Sequence, residues 1–441
     1  MATRRERRPR AQPPKQRPQS PRIAGLFTES EAQLARQVEY LSRTYAVVVT
    51  NPPYMGSKNM DATLSEFAKD NYPTTKSDLF AMFIERCLGL TLGGGQVAMI
   101  TMQSWMFLSS YEKLRGWLLH QSTIGTMAHL GARAFDSIGG EVVQSTAFVL
   151  GKGWVNGEGV FIRLVDGGNE AEKSSTLHNA ASNPSDVGRH QVFGSAFEAI
   201  PGTPIVYWLS EKMRSAFAMG RPLSSVATTR LGMTTADNAR FTRQWSEISW
   251  ADLATRAKDV DEFIGSCRSW VPYNKGGEFR KWFGNSGTVL FWRGNGADIR
   301  SFGSETGRVR STVPNEDFYF RPALTWSKVS SGQVAFRWLP PGFIFDVAGA
   351  EVFSDVISLA LLVSTLNSEV TSHLLAALSP TLNFEGGQVS SLPIVVTDNE
   401  QFLRMTRMLV TASKVDWDDF ETSWDFRGNM LVEGFRSLIA E

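Results

Sequence analysis

The sequence predicts an α/β protein that begins with half of an open, mostly parallel sheet and continues into a mixed α+β region with C-terminal helices. Three observations predict it. Helix-like and strand-like segments alternate between about 30 and 150, and the first two strands are short apolar runs of the kind buried on both faces. From about 268 onward the pattern changes to short strands cut by Gly and Asn turns.

Residues 1–22 hold eight Lys or Arg, one Glu and five Pro, with no periodic apolar residue, so they read as a disordered basic tail. Clustered arginine there suits a nonspecific nucleic-acid arm; a start-site or gene-remnant artefact is the other reading. Ser30 to Thr44 follows as a helix, with Leu34, Val38 and Leu41 at helical spacing. Ala46 to Thr50 is a β-branched strand, ended by Asn51-Pro52-Pro53-Tyr54, where two prolines forbid continuation. Ser77 and Asp78 open an amphipathic helix that runs to Leu90, and Gly93 to Gly95 are read as its stop. A strand at Val97 to Thr101 and a helix at Tyr111 to His120 come next. Ile124 to Leu130 and Val142 to Leu150 form two further strands, antiparallel because a glycine-bearing loop rather than a helix joins them. Only half of a doubly wound sheet is accounted for, since Ile23 to Ala46 has room for a single helix.

Asn156 to about Pro201 is polar and rich in Gly, Asn and Ser, and reads as a linker. Between Arg268 and Phe345 eleven Lys or Arg face five acidic residues, alongside sixteen aromatics. Val352 to Leu378 reads as helix, Pro380 to Pro393 as extended and Gln401 to Phe420 as helix.

Composition narrows the function classes. The chain has 441 residues, 42% of them hydrophobic and 20% charged, which is the make-up of a soluble globular protein. Two distant cysteines and five scattered histidines argue against a disulfide framework and a short-motif metal site, and suggest a reducing, cytoplasmic setting. The longest apolar run, near Val356 to Leu366, is too short to span a bilayer, so no membrane partner is expected. The net charge of +1 hides an asymmetry, because the residues after the tail hold 37 basic against 43 acidic side chains.

The Asn-Pro-Pro-Tyr turn after a buried strand carries the chemistry. A carboxamide oxygen and a neighbouring backbone carbonyl, fixed by a rigid proline pair, can each accept one hydrogen of a planar exocyclic amine. Tyr54 offers a flat face on which a base taken out of its duplex can stack.

The motif resembles that of amino-methyltransferases, in particular adenine-specific DNA methyltransferases. The surrounding stretches NPPYMGSKNM (51–60), KDNYPTTKSDLFAMF (69–83), ITMQSWMFLSSYEKL (100–114) and HLGARAFDSIGGEVV (129–143) resemble the PglX family of the BREX phage-defence system. So do YNKGGEFRKW (273–282), NEDFYFRPALTWSKVSS (315–331), SPTLNF (379–384) and FETSWDF (420–426) downstream. The resemblance implies a partial Rossmann-like methyltransferase sheet and methyl transfer from S-adenosylmethionine to adenine in double-stranded host DNA. Asn51, Pro52, Pro53 and Tyr54 would be catalytic, with Asn51 and the Pro52 carbonyl on the amine and Tyr54 on the ring. Phe135 stands where related enzymes place a second aromatic over the base; a core phenylalanine is its other reading. No metal is implied.

This chain departs from the family pattern in lacking, before Asn51, the acidic-proline and Gly-x-Gly stretch that binds the cofactor. The expected divisions are therefore the tail at 1–22, a partial catalytic domain at 23–155, a polar linker at 156–200, a DNA target-recognition domain at 201–395 and a helical segment at 396–441. Lys275, Arg280, Lys281, Arg321 and Lys328 are the expected DNA contacts, with a solvated charged face as the alternative for each. The expected partners are double-stranded DNA and either other BREX proteins or a chain supplying the cofactor half. A non-catalytic DNA-binding remnant or subunit remains the second reading. A third is transfer to a glutamine side-chain amide, which is equally planar, although the long basic and aromatic region argues against it.

Overall fold

A computed structural model describes residues 29–136, 143–330, 332–379, 383–395 and 400–428. The basic tail at 1–22 lies outside the described residues, as do Pro380 to Leu382 of the SPTLNF stretch and the end of the expected C-terminal segment.

The first helix, α1 (Glu29–Ser42), leads into β1 (Tyr45–Thr50). After the Asn-Pro-Pro-Tyr turn comes a helix not expected from the sequence, α2 (Ala62–Asn71), capped by the Asp61 carboxylate on the Leu64 amide at 2.8 Å. Then follow α3 (Leu79–Leu90), β2 (Thr91–Met102), α4 (Glu112–Gln121), β3 (Ser122–Gly131) and β4 (Ser145–Lys152). Helix α3 ends at Leu90, three residues before the glycines, and Gly93 to Gly95 lie inside β2. The Thr91 hydroxyl donates to the Cys87 carbonyl at 2.7 Å as the chain leaves the helix, so the turn from α3 into β2 needs no glycine.

The expected linker at 156–200 is corrected. It contains β5 (Glu158–Arg163), α5 (Glu170–Ser182) and β6 (Arg189–Phe193), and both strands join the first sheet, whose order is β1-β2-β4-β3-β5-β6. The polar composition belongs to α5, whose outer face is solvated and whose N-cap is Asn169 on the Glu172 amide. β5 runs parallel to β3, and β6 returns antiparallel to β5. The antiparallel pairing of β3 with β4 is as expected.

The sheet buries one face well. Val97, Met99, Ile124, Met127, Phe148 and Leu150 point at α3 and α4, where Phe80, Ile84, Leu114 and Leu118 meet them. This cluster continues into the downstream region through Tyr207, Trp326, Phe336, Leu362 and Leu375. Arg115 pins the same junction: its guanidinium donates to the carbonyls of Trp105, Leu108 and Gly202, and burial pushes its pKa down to about 10. The opposite face is poorly covered. β1, expected to be buried on both sides, is an edge strand among the described residues, with Val47 and Val49 left 57% and 73% exposed. The β-branched run that marks an interior parallel strand is the same run that appears here at an edge, so sequence pattern cannot tell the two apart.

Downstream, one four-stranded sheet orders Ile344–Phe345, Trp270–Asn274, Thr288–Phe291 and Thr242–Gln244. A second orders Phe336–Leu339, Ala323–Ser327, Gly349–Phe353 and Thr228–Arg230. The expected helix from Val352 begins only at Leu359, because Gly349–Phe353 is a buried central strand; Leu359–Leu366 and Glu369–Leu378 are the helices there. The segment expected to be extended carries a short helix, Gly386–Ser390. A long helix, Glu400–Asp418, closes the described chain. No helix among the described residues is long and apolar enough to cross a membrane.

Candidate active site

β1, β2, β3 and β5 are mutually parallel, so their C-terminal ends share one edge of the sheet. Asn51 leaves β1 at that edge. Pro52 is buried and Asn51 exposed, so the turn is anchored by its proline while the carboxamide stays outside. Asn51 lines an open cavity of about 830 Å³ that runs over the poorly covered face, between Val49, Ile100, Ala147 and Val149 and, at its far end, Ile162 and Arg189. Its size falls within the range of about 300–1,000 Å³ usual for small-molecule sites.

Tyr54 does not line that cavity; its ring is 39% exposed and meets the Phe80 ring edge-on, centroids 6.1 Å apart at 85°. Phe80 in turn contacts Tyr111 at 5.7 Å. Partial burial, reinforced by Asp78, pushes the Tyr54 phenol above its usual range and the Tyr111 phenol up to about 12. Both rings are therefore neutral at physiological pH. Phe135, in the loop that follows β3 at the same edge, is 37% exposed and so is not a core residue. The neighbouring residues 137–142 lie outside the described residues.

Residues that the motif reading did not single out as site residues build the surroundings. The Asp78 Oδ1 accepts from the Met55 amide at 3.0 Å and the Phe80 amide at 3.2 Å. His129, at the end of β3, is buried between Gln103 and Tyr207, with Nε2 2.6 Å from Gln103 Oε1 and Nδ1 2.9 Å from the Tyr207 hydroxyl. Desolvation, helped by Arg163 and Lys173, drives its pKa down to about 3, so the ring is neutral. Neutrality fixes the tautomer: Nε2–H donates to Gln103, Nδ1 accepts from Tyr207, and the Gln103 amide is left to donate to Gln144. Asp78 was visible as a helix opener and Gln103 and His129 fell inside the quoted motifs, but nothing in the spacing announced their contacts.

The five expected DNA contacts are distributed differently. Arg280 pairs with Asp416, donates to the Phe283 carbonyl at 2.8 Å and lies over the Trp417 ring. Lys281 donates to the Asn367 carbonyl at 3.1 Å, Arg321 pairs with Asp355 at 2.7 Å, and Lys328 pairs with Glu385 at 3.2 Å. Four of the five thus have partners within the protein, while Lys275 has none among the described residues.

A family model described as Eco57I restriction-modification methylase matches residues 19–135. The chain is 42% identical over 403 residues to "Adenine-specific methyltransferase PglX" of Lacticaseibacillus casei (strain Zhang), covering 90% of this chain and 33% of that protein. It is 39% identical over 407 residues to "Adenine-specific methyltransferase BrxX" of Escherichia coli O9:H4 (strain HS), covering 90% of this chain and 32% of that protein. Over 90% of its length this chain is thus similar to proteins described as adenine-specific methyltransferases.

The chain spans about a third of the length of these curated relatives. Among solved structures it resembles the Type IIL restriction-modification enzyme MmeI in complex with DNA, at a TM-score of 0.54 and 12% identity over 86% of this chain and 50% of that one. At that identity the likeness is one of fold. No group of three or more His, Cys, Asp or Glu among the described residues could hold a metal ion.

Among the described residues, the glycine runs do not form a cradle for a nucleoside cofactor beside Asn51. Gly93 to Gly95 lie at the start of β2, the end remote from Asn51. Gly167-Gly168 follows β5 at the same edge as Asn51, but four strands from β1, roughly 19 Å at the usual strand spacing. The Gly168 amide is already taken by Glu172 at 2.8 Å.

Proposed function

We propose that this chain is the base-holding and DNA-recognising portion of an adenine-specific DNA methyltransferase of the PglX type, serving BREX phage defence in the cytoplasm. The observation that carries the proposal is the turn at 51–54, with Pro52 buried and Asn51 exposed at the mouth of a cavity. An everted adenine would give the two hydrogens of its exocyclic amine to Asn51 Oδ1 and the Pro52 carbonyl, with Tyr54 and Phe135 against the ring. The protein's part is to hold the nitrogen in one orientation, out of water, with acceptors already aimed at the charge that develops there.

The methyl donor implied by the family is S-adenosylmethionine. Since the described residues do not cradle it, we assign its binding to a further α/β segment, on the same polypeptide or a partner chain, added at the free edge of β1. The one-sided pairing of β1 among the described residues and its exposed valines support that assignment. The region 201–395 is assigned to DNA recognition, with Lys275 as the remaining candidate phosphate contact. The lack of a fitting cofactor cradle also favours a second reading, a DNA-binding subunit without activity of its own.

Calorimetry with S-adenosylmethionine and with duplex DNA separates the two, when combined with mass analysis of methylated adenine in DNA treated with the full-length protein. The proposal expects duplex binding by this chain and adenine methylation once a cofactor-binding segment is supplied. Duplex binding with no methylation in any assembled form would leave the subunit reading, and no duplex binding would overturn both.

A further inference from the structure

The carboxylate of Asp78 does two things at once. As N-cap of α3 it accepts from the Phe80 amide at 3.2 Å, and the same oxygen accepts from the Met55 amide at 3.0 Å, one residue after Tyr54. A short backbone ladder reinforces the junction, with Leu79 N–H on the Met55 carbonyl at 3.1 Å and Ser57 N–H on the Ser77 carbonyl at 2.9 Å. Phe80, whose amide is held by this oxygen, presents its ring edge-on to Tyr54. Phe80 is only 1% exposed and sits in the main apolar cluster, so the chain from Tyr54 through Phe80 reaches the core without a flexible link.

We infer that Asp78 is a positioning residue of the base pocket, its carboxylate fastening the backbone behind Tyr54 to the start of α3. The inference rests on the base-holding reading of the turn. A helix cap alone would serve α3 and leave the turn to find its own conformation; Asp61 on α2 is such a cap, with one contact inside its own helix. Asp78 instead removes the freedom of a turn whose two prolines stiffen it only on the N-terminal side of Tyr54. What it supplies is an acceptor oxygen, which asparagine retains and alanine does not.

The test uses the full chain and a short duplex carrying 2-aminopurine opposite an abasic site, where eversion costs little. Wild type should change the probe's emission on binding, and Tyr54→Ala should lose that change. Asp78→Ala should lose it too while duplex affinity stays within about twofold, since positioning and phosphate binding are separate contributions. Asp78→Asn should keep the change. Asp61→Ala, which removes only a cap, should also keep it. Independently of DNA, amide exchange at Met55 should accelerate in Asp78→Ala and remain slow in Asp78→Asn. Unaltered Met55 protection in Asp78→Ala, or a full emission change in that variant, overturns the inference. A wild-type chain that binds the duplex with no emission change overturns the base-holding reading itself, and the role of Asp78 with it.

Discussion

The turn at 51–54 and the basic region at 268–345 put two kinds of signal side by side. In the first, a motif with fixed geometry keeps its functional group outside: Asn51 is exposed, and buried Pro52 and half-buried Asp78 hold it there. In the second, charge is the signal, and four of the five half-buried cations that stand out in the sequence are engaged by groups of the protein itself. Arg280, Lys281, Arg321 and Lys328 bind carbonyls or carboxylates of the protein itself, and even Arg337 is buried and pushed down to about 10 by desolvation. A count of basic residues reports how much positive charge a segment carries and says nothing of which way it faces; a backbone motif reports a direction.

The sharpest way to break this comparison is at the motif. Asn51→Ala should lower methyl transfer by the full-length protein by about 10²–10³-fold, the usual cost of one oriented polar group in a reacting site, with duplex affinity unchanged within about twofold. Equal losses of both would mean that Asn51 supports DNA binding rather than the amine. The corresponding large effect downstream is on stability. Trp326 is fully buried, and its indole N–H donates to the Phe384 carbonyl at 3.0 Å. Trp326→Ala should cost about 3–5 kcal/mol in urea unfolding while leaving residual duplex binding by folded protein intact.

The two regions should also separate by pH. His129, in the first sheet, has its native pKa lowered to about 3 from 6.5. Its contribution is complete above 6.5 and is lost as pH falls toward 3, at up to about 1.4 kcal/mol per pH unit. Glu351, in the downstream sheet, is fully buried with the Asn274 amide at 2.9 Å, and desolvation raises its pKa well above 4.5. The sign is opposite: its contribution is present below 4.5 and is lost as pH rises toward the native value. His129→Asn should flatten the acid limb of a stability-pH curve and Glu351→Gln the alkaline limb; a shared limb would show that the regions unfold as one unit.

The smallest effect is the most direct comparison of charges. Lys275→Ala should reduce the slope of log affinity against log salt by about 1. Arg280→Ala should leave that slope alone and instead cost about 1 kcal/mol of stability, through its lost carbonyl contacts and its place over Trp417. A fall in slope for Arg280→Ala would restore it as a phosphate contact.

Legibility in the sequence followed the same division. Helix α3 was readable from Asp78 and its apolar spacing, and the β3–β4 pairing from the loop between them, because both depend on contacts near in sequence. β5 and β6 were not, since their polar surroundings resemble a loop until the sheet supplies partners from β3. The residues of the turn were legible and its support was not. The contact from Met55 to Asp78 spans 23 residues, and that from His129 to Tyr207 spans 78. Nothing in local periodicity carries contacts over such distances.

The bare side of β1 has a practical consequence for handling the molecule. A parallel strand with valines in water and, among the described residues, one row of peptide groups unmatched by another strand is a template for any extended segment it meets. A lysine at Val47, which lies outside the cavity that Asn51 lines, should therefore reduce clumping of the isolated chain.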